Sequence, residues 1–166
     1  ITKAMELVAA SKMKRAVSRT MDARSYAQYS STILKSLPQN ETTTPQSVVE
    51  KNLIVLISSN RGLCGAYNAQ ILRAVVAMLK ENTNETYEFL TVGKKGDFAM
   101  RRLEQQVVAN FDLGESVTFS EILPIADYVM SEFAQGNYKT VSVYYIDFVS
   151  ALTQHAKQIQ LLPFDI

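Results

Sequence analysis

The sequence has no tryptophan, one cysteine and one histidine in 166 residues. A lone Cys64 excludes an internal disulfide and a cysteine metal cluster, and it suits a reducing compartment. With His155 as the only imidazole, a Cys-His or Ser-His pair has one candidate base, and it lies far along the chain from Cys64. Glycine and proline are scarce, six and four, and neither occurs before Pro38. No apolar run approaches the roughly 20 residues that span a bilayer, and the first residues are charged and amphipathic, unlike a secretory signal. Charge of one sign is lacking too: 17 basic residues against 16 acidic leave +1, so total charge names no partner.

The charge that exists is unevenly spread. From Ile1 to Leu37 there are seven basic residues (Lys3, Lys12, Lys14, Arg15, Arg19, Arg24, Lys35) and two acidic ones, Glu6 and Asp22. The same stretch has no helix breaker, which predicts one helix over 1–37 stopped by Pro38. It would be about 55 Å long, far beyond an ordinary globular helix. Ala9, Met13, Ala16, Thr20, Ala23, Ala27, Ser30, Leu34 and Leu37 follow steps of four and three, a heptad seam. Ile1, Met5 and Ala9 step by four, which locally changes the supercoil. Much of the seam is Ala, Ser or Thr, residues that bury little but let a partner helix come close. Because packing supplies most helical stability, a second long helix is expected. The chain opens as if cut from the middle of a helix, and we read it as a fragment. The basic residues are either a solvated face or a surface for an acidic partner. No aromatic is interleaved before Tyr26, so nucleic acid is not expected as the partner.

Residues 38–51 are polar and carry two prolines, the composition of a linker. Residues 52–166 then read as an α/β domain. Five consecutive apolar residues, Leu53 to Ile57, predict a strand buried on both faces, as in a parallel sheet. Helical spacing follows over 67–81, "YEFLTVG" reads as a strand, "GDFAMRRLEQ" as a short helix and "QVVANFD" as a third strand. Residues 118–135 suit a helix with Pro124 near its start. "KTVSVYYIDFVS" and "HAKQIQLLPFD" are strands that adjoin directly, as in an antiparallel hairpin. The alternation predicts a Rossmann-like, mostly parallel sheet with helices on both faces.

The turn after the first strand of such a sheet is where phosphates bind, and "SNRGLCGAYN" (59–68) sits there. Neither G-x-G-x-x-G nor G-x-x-x-x-G-K-S/T is present, and Thr91-Val92-Gly93 offers no carboxylate for a ribose. The glycines Gly62 and Gly65 therefore read as turn formers, allowing positive φ or close packing. Cys64 reads as a small buried residue rather than an activated thiol. "GKKG" (93–96) reads as a basic, solvated turn. Arg61 is not required by any turn and is a candidate for pairing with a carboxylate or a partner chain.

"ITKAMELVAASKMKRA" and "LISSNRGLCGAYNAQIL", with "TVGKKGDFAMRR" and "QIQLLPFD" in order behind them, resemble the gamma subunit of the rotary F-type ATP synthase over essentially the whole chain. The resemblance implies a central-stalk rotor whose N-terminal helix pairs with a long C-terminal helix inside a ring of alternating alpha and beta subunits. It implies an α/β domain lying against the epsilon subunit and the membrane c-ring, on the cytoplasmic face of a bacterial inner membrane or its organellar equivalent. It implies no catalytic residue, cofactor, metal or small-molecule substrate of the chain's own, because ATP chemistry belongs to the partner subunits. The family's contacts with the beta-subunit lever fall on Met5, Lys12, Met13 and Arg15, with Arg61 a further partner-contact candidate. The family often has Asp where this chain has Asn60, so any ion pair made there is expected to be absent.

Overall fold

The computed structural model describes residues 2–36, 49–114 and 116–164; the stretch 38–48 of the expected linker and both end residues of the expected helix, Ile1 and Leu37, lie outside them. The described chain forms two compact units. The first is one helix, α1 (Thr2–Ser36), 35 residues long. Among its described side chains, all are exposed except Val17, Arg24 and Ser30, which are half-buried. Thr20, Ser25 and Thr32 return their hydroxyls to the carbonyls four residues back, the local bond a helix offers a short polar side chain.

The second unit is built on five strands and three helices in the order β1 (Lys51–Ile57), α2 (Tyr67–Glu81), β2 (Thr86–Val92), α3 (Lys94–Arg102), β3 (Gln106–Phe111), α4 (Phe119–Ala134), β4 (Thr140–Phe148) and β5 (Gln154–Leu162). The strands lie in the order β3-β2-β1-β4-β5. The first four are parallel, and β5 returns antiparallel beside β4. The run Leu53–Leu56 at the centre is buried on both faces, as its unbroken apolar sequence predicts. Alternate residues feed two cores. Leu53, Val55, Leu90 and Val92 meet Ile125, Val129 and Phe133 of α4. Ile54, Leu56 and Phe89 meet Ile71 and Val75 of α2 and Met100 of α3. Among the described residues of this unit, one face of the sheet thus packs on α2 and α3 and the other on α4.

Helix α4 starts with a capping box, in which Thr118 and Glu121 satisfy each other's backbone and side chain; Pro124, its sixth residue, lies past the first turn, so the helix continues through it with one i→i−4 hydrogen bond fewer. Helix α3 begins at Lys94, two residues before the sequence pattern suggests. "GKKG" is therefore not a solvated turn but the entry of a helix, for a reason given below.

The end of the sheet where the parallel strands begin is fastened by side chains. Lys51 Nζ lies 2.9 Å from Glu88 Oε1, and Tyr138 donates to Glu88 Oε2 at 2.7 Å. Thr140 donates to Asn52 Oδ1 and Asn52 Nδ2 to Glu85, while Lys139 pairs with Glu50. Burial works against the Glu88 charge, but Lys51 and the Tyr138 hydroxyl outweigh it and hold the carboxyl below its ordinary value. Both Lys51, where the chain enters β1, and Leu162, where it leaves β5, lie at this end.

Candidate functional site

The opposite end, where the parallel strands finish, holds the loop that the sequence singles out. It runs from Ser58 to Ala66 between β1 and α2, beside the point where the connections diverge to either side of β1. Its first three residues are spent on α3. Asn60 Oδ1 accepts the N–H of Lys94 at 3.0 Å, the Ser59 carbonyl that of Lys95 at 3.0 Å, and Ser58 Oγ that of Gly96 at 2.7 Å. These are the orphan donors of a helix start. Their acceptors come from more than thirty residues away, which is why α3 begins earlier than its own sequence indicates. Asn60 also donates from Nδ2 to the Leu113 carbonyl at 2.8 Å, tying β1, α3 and the segment after β3 together. In place of an ion pair, Asn60 thus provides one acceptor and one donor. Gly93 has φ +99°, and a Cβ there would run into the Ser58 carbonyl, so this close approach needs glycine.

The other half of the loop closes on itself. Asn68 Oδ1 accepts the Ser59 N–H at 3.1 Å, and Asn68 Nδ2 donates to Ser59 Oγ at 2.7 Å and Cys64 Sγ at 3.1 Å. Left-handed backbone falls on Gly65, φ +59°, as expected of a turn glycine, but on Leu63, φ +61°, rather than on Gly62. Cys64 is exposed, contrary to the expectation of a buried residue; the turn that Asn68 and Ser59 hold turns position 64 outward. Beside it lies an open cleft of about 260 Å³ lined by Cys64, Gly65, Ala66, Tyr67, Gln70, Leu152 and Gln154. Burial, with Cys64 nearby, pushes the Tyr67 phenol up. No Lys or Arg lines this cleft, and the buried Gln70 Oε1, which has no hydrogen-bond partner, is an acceptor. A phosphate there would meet no cation, and at α3 it would find the first three N–H groups already bonded.

Of the candidates read from the sequence, Met5, Lys12, Met13 and Arg15 all lie exposed on α1, Met5 by 68% and Met13 by 52%. Met5 and Lys12, seven residues apart, share a helix face; Met13 stands about a quarter-turn round. Arg61 belongs to the other unit, exposed in the loop, with its carbonyl accepting Ser59 Oγ at 2.6 Å. Sequence reasoning missed Ser58, Asn60 and Asn68 as the residues that shape the loop. Their types are those that replace backbone partners in turns, but the groups they bind are remote in sequence. Among the described residues no cluster of three His, Cys, Asp or Glu is placed to hold a metal, and no helix is long and apolar enough to cross a membrane.

Comparison with known proteins gives this arrangement its context. The family model described as ATP synthase matches residues 1–166. The chain belongs to the ATP synthase gamma-chain family. The gamma chain of Desulfitobacterium hafniense is 32% identical over 99% of this chain and 60% of its own length; that of Heliobacterium modesticaldum is 35% identical over 98% and 58%. A chain of the cryo-EM structure of the central stalk and c-ring of Tetrahymena thermophila mitochondrial ATP synthase superposes with a TM-score of 0.78 at 31% identity, over 98% of this chain and 72% of that one. The chain thus spans about 60% of the length of such gamma-chain relatives.

Proposed function

We propose that this chain is part of the central-stalk rotor of an F-type ATP synthase. It transmits torque between the membrane c-ring and the catalytic alpha/beta hexamer, couples proton flow to ATP synthesis and regulates ATP hydrolysis. The reading is carried by α1 itself: a helix of 35 residues with almost every side chain exposed is unstable alone in water and suits half of a coiled coil. On this reading Met5, Lys12, Met13 and Arg15 touch the beta-subunit lever, while the α/β unit, Arg61 included, lies toward the epsilon subunit and the c-ring. The chain contributes shape and stiffness, and the partner subunits contribute the chemistry. It is a peripheral membrane protein on the cytoplasmic face of a bacterial inner membrane or its organellar counterpart. Exposed ion pairs, each worth about 0–1 kcal/mol and screened by salt, would let a basic shaft push on a carboxylate surface and then release it.

The test is a hybrid gamma chain in which residues 1–166 replace the matching segment of the Desulfitobacterium hafniense protein. ATP-driven proton pumping into inverted vesicles is expected to be retained. It should fall more for Met5→Lys than for Lys12→Ala, because the former adds a cation at an apolar contact. Assembly with hydrolysis but no pumping, or no assembly at all, would overturn the proposal.

A further inference from the structure

Helices α2 and α3 lie side by side on one face of the sheet and run the same way, because each returns between parallel strands. Their outer flanks are fixed by what they touch. On α2, Gln70 shares the open cleft with Leu152 and Gln154 of the β4–β5 hairpin. Burial, and after it the charge of Glu81, raises the phenol of Tyr144 in β4, so Glu81 looks the same way. On α3, Lys94 pairs at 2.9 Å with Asp112, behind β3 at the edge of the sheet. Asp97 and Arg101, paired with each other, lie on that same flank. The opposite flanks of the two helices therefore face each other.

Helical spacing turns Leu72, Val76 and Leu79 to the inner flank of α2 and Ala99 to that of α3. All four are half-buried and floor a shallow furrow between the helices. Ile71 and Val75 point into the core, so Arg73 and Lys80 stand on the crest of α2. Gly96 and Met100 do the same for α3, which puts the exposed Phe98 on its crest and Lys95 and Arg102 on the slope toward α2. Arg73, Lys80, Lys95 and Arg102 are all exposed, and among the described residues none of them pairs with a carboxylate. The acidic residues of the two helices, Glu81 and Asp97, lie on the outer flanks, and Glu104 follows the end of α3. Arg73 and Lys80 are seven residues apart, as are Lys95 and Arg102. Each rim of the furrow thus carries two charges about 10.5 Å apart along the helix.

We propose that the furrow between α2 and α3 docks an acidic amphipathic helix, one with Glu or Asp two turns apart on both sides of an apolar stripe. Helices pack about 8–10 Å apart, so a third one resting on two neighbours fills the space between their crests. Its carboxylates at i and i+7 match the interval of either rim, and its apolar stripe covers Val76 and Ala99. A flat anionic surface would meet Arg73, Lys80 and Phe98 on the crests and leave the apolar floor bare, so the shape favours a helix over a lipid bilayer. Four cations without partners in one place also steer an acidic partner toward the furrow and reject a basic one. Nothing in this assignment depends on rotation, so it stands or falls apart from the rotor proposal.

The probe is a Leu/Glu amphipathic helical peptide of about 18 residues with a nitroxide at its centre, added to the isotope-labelled chain and followed by NMR. Helix α1 is basic too and offers the peptide another place, so the readout is the furrow's own signals. The amides of Val76 and Ala99 should broaden, whereas that of Val129, on the α4 face, should stay sharp. A Leu/Lys counterpart should leave all three sharp. Lys95→Glu combined with Arg102→Glu should weaken the Leu/Glu peptide at these amides by about tenfold, as loss of two exposed ion pairs does, and turn the preference toward Leu/Lys. Both positions are exposed, so the fold should be spared, which a thermal melt verifies. Sharp furrow signals with the Leu/Glu peptide, equal broadening by both peptides, or indifference to the double substitution would overturn the assignment. Broadening by spin-labelled phosphatidylcholine/phosphatidylglycerol vesicles but not by the peptide would also overturn it, making a lipid surface the occupant. So would a dimer of the chain that the double substitution dissolves, because a second copy would then fill the furrow.

Discussion

Helices α1 and α2 are made of similar material and meet opposite fates. Helix α2 has 15 residues and turns Ile71 and Val75 wholly into a core. Helix α1 is more than twice as long and leaves Met5, Leu7, Val8, Met13, Tyr26, Tyr29 and Ile33 in the open. The difference lies in arrangement. The apolar residues of α2 recur on one stripe wide enough to lie on a sheet, whereas those of α1 are spread around the cylinder, with a narrow seam of small residues between. A stripe of the first kind is satisfied within its own domain, and a seam of the second kind asks for another helix.

This contrast can be broken in several ways. The largest effect is expected from Phe89→Ala, which empties a fully buried position of β2 facing α2 and α3. It should cost about 3–5 kcal/mol, read as a lowered denaturant midpoint of the α/β unit; a loss below 1 kcal/mol would mean that the two-helix face is not the stabilising core. Next comes Asn60→Ala. It strips an acceptor from Lys94 and a donor from Leu113, at about 1–3 kcal/mol. Asn60→Asp should be milder, since it keeps the acceptor and sets a negative charge at the start of α3. If the two substitutions cost the same, the Leu113 bond carries the whole effect.

Acid supplies a third test. The Glu88 carboxyl is held below its ordinary value of 4.5, so its contribution is present above that pH and is lost as pH falls through the lower folded value. The denaturant midpoint should drop on acidification below about pH 4.5, and Glu88→Gln should flatten that drop. The smallest effect sharpens the comparison. Ala16→Gly in α1 should leave the melting of the α/β unit unchanged, although it costs about 1 kcal/mol of local helix propensity. Amide exchange in a verified monomer should be fast along α1 and slow at Leu53–Leu56; equal protection would show that the seam is already covered.

Most of the architecture was legible because it rests on local periodicity. The unbroken Leu53–Ile57 run, the helical spacing over 67–81, the helical stretch 118–135 and the β-rich stretch after Lys139 each announce an element without help from elsewhere. The antiparallel return of β5 follows from the short join behind Phe148. What sequence reasoning missed depends on contacts across the chain. The entry of α3 at Lys94 is decided by Ser58, Ser59 and Asn60, and the exposure of Cys64 by Asn68. The uneven covering of the sheet was equally hidden, since a helix pattern such as that of α4 tells which side is apolar and not how many strands it will cover.

The shared position of Lys51 and Leu162 has a mechanical consequence. A pull applied to the chain on either side of the α/β unit enters and leaves the sheet at the same end. It therefore peels the β1–β4 and β4–β5 ladders rung by rung instead of loading all their hydrogen bonds in parallel. A peeled sheet is only as strong as its first rungs. On the β1–β4 ladder those rungs bear extra fastenings: the Lys139 N–H on the Lys51 carbonyl at 2.7 Å, Thr140 on Asn52 and Lys139 on Glu50. The reinforcement stands where a tear would start.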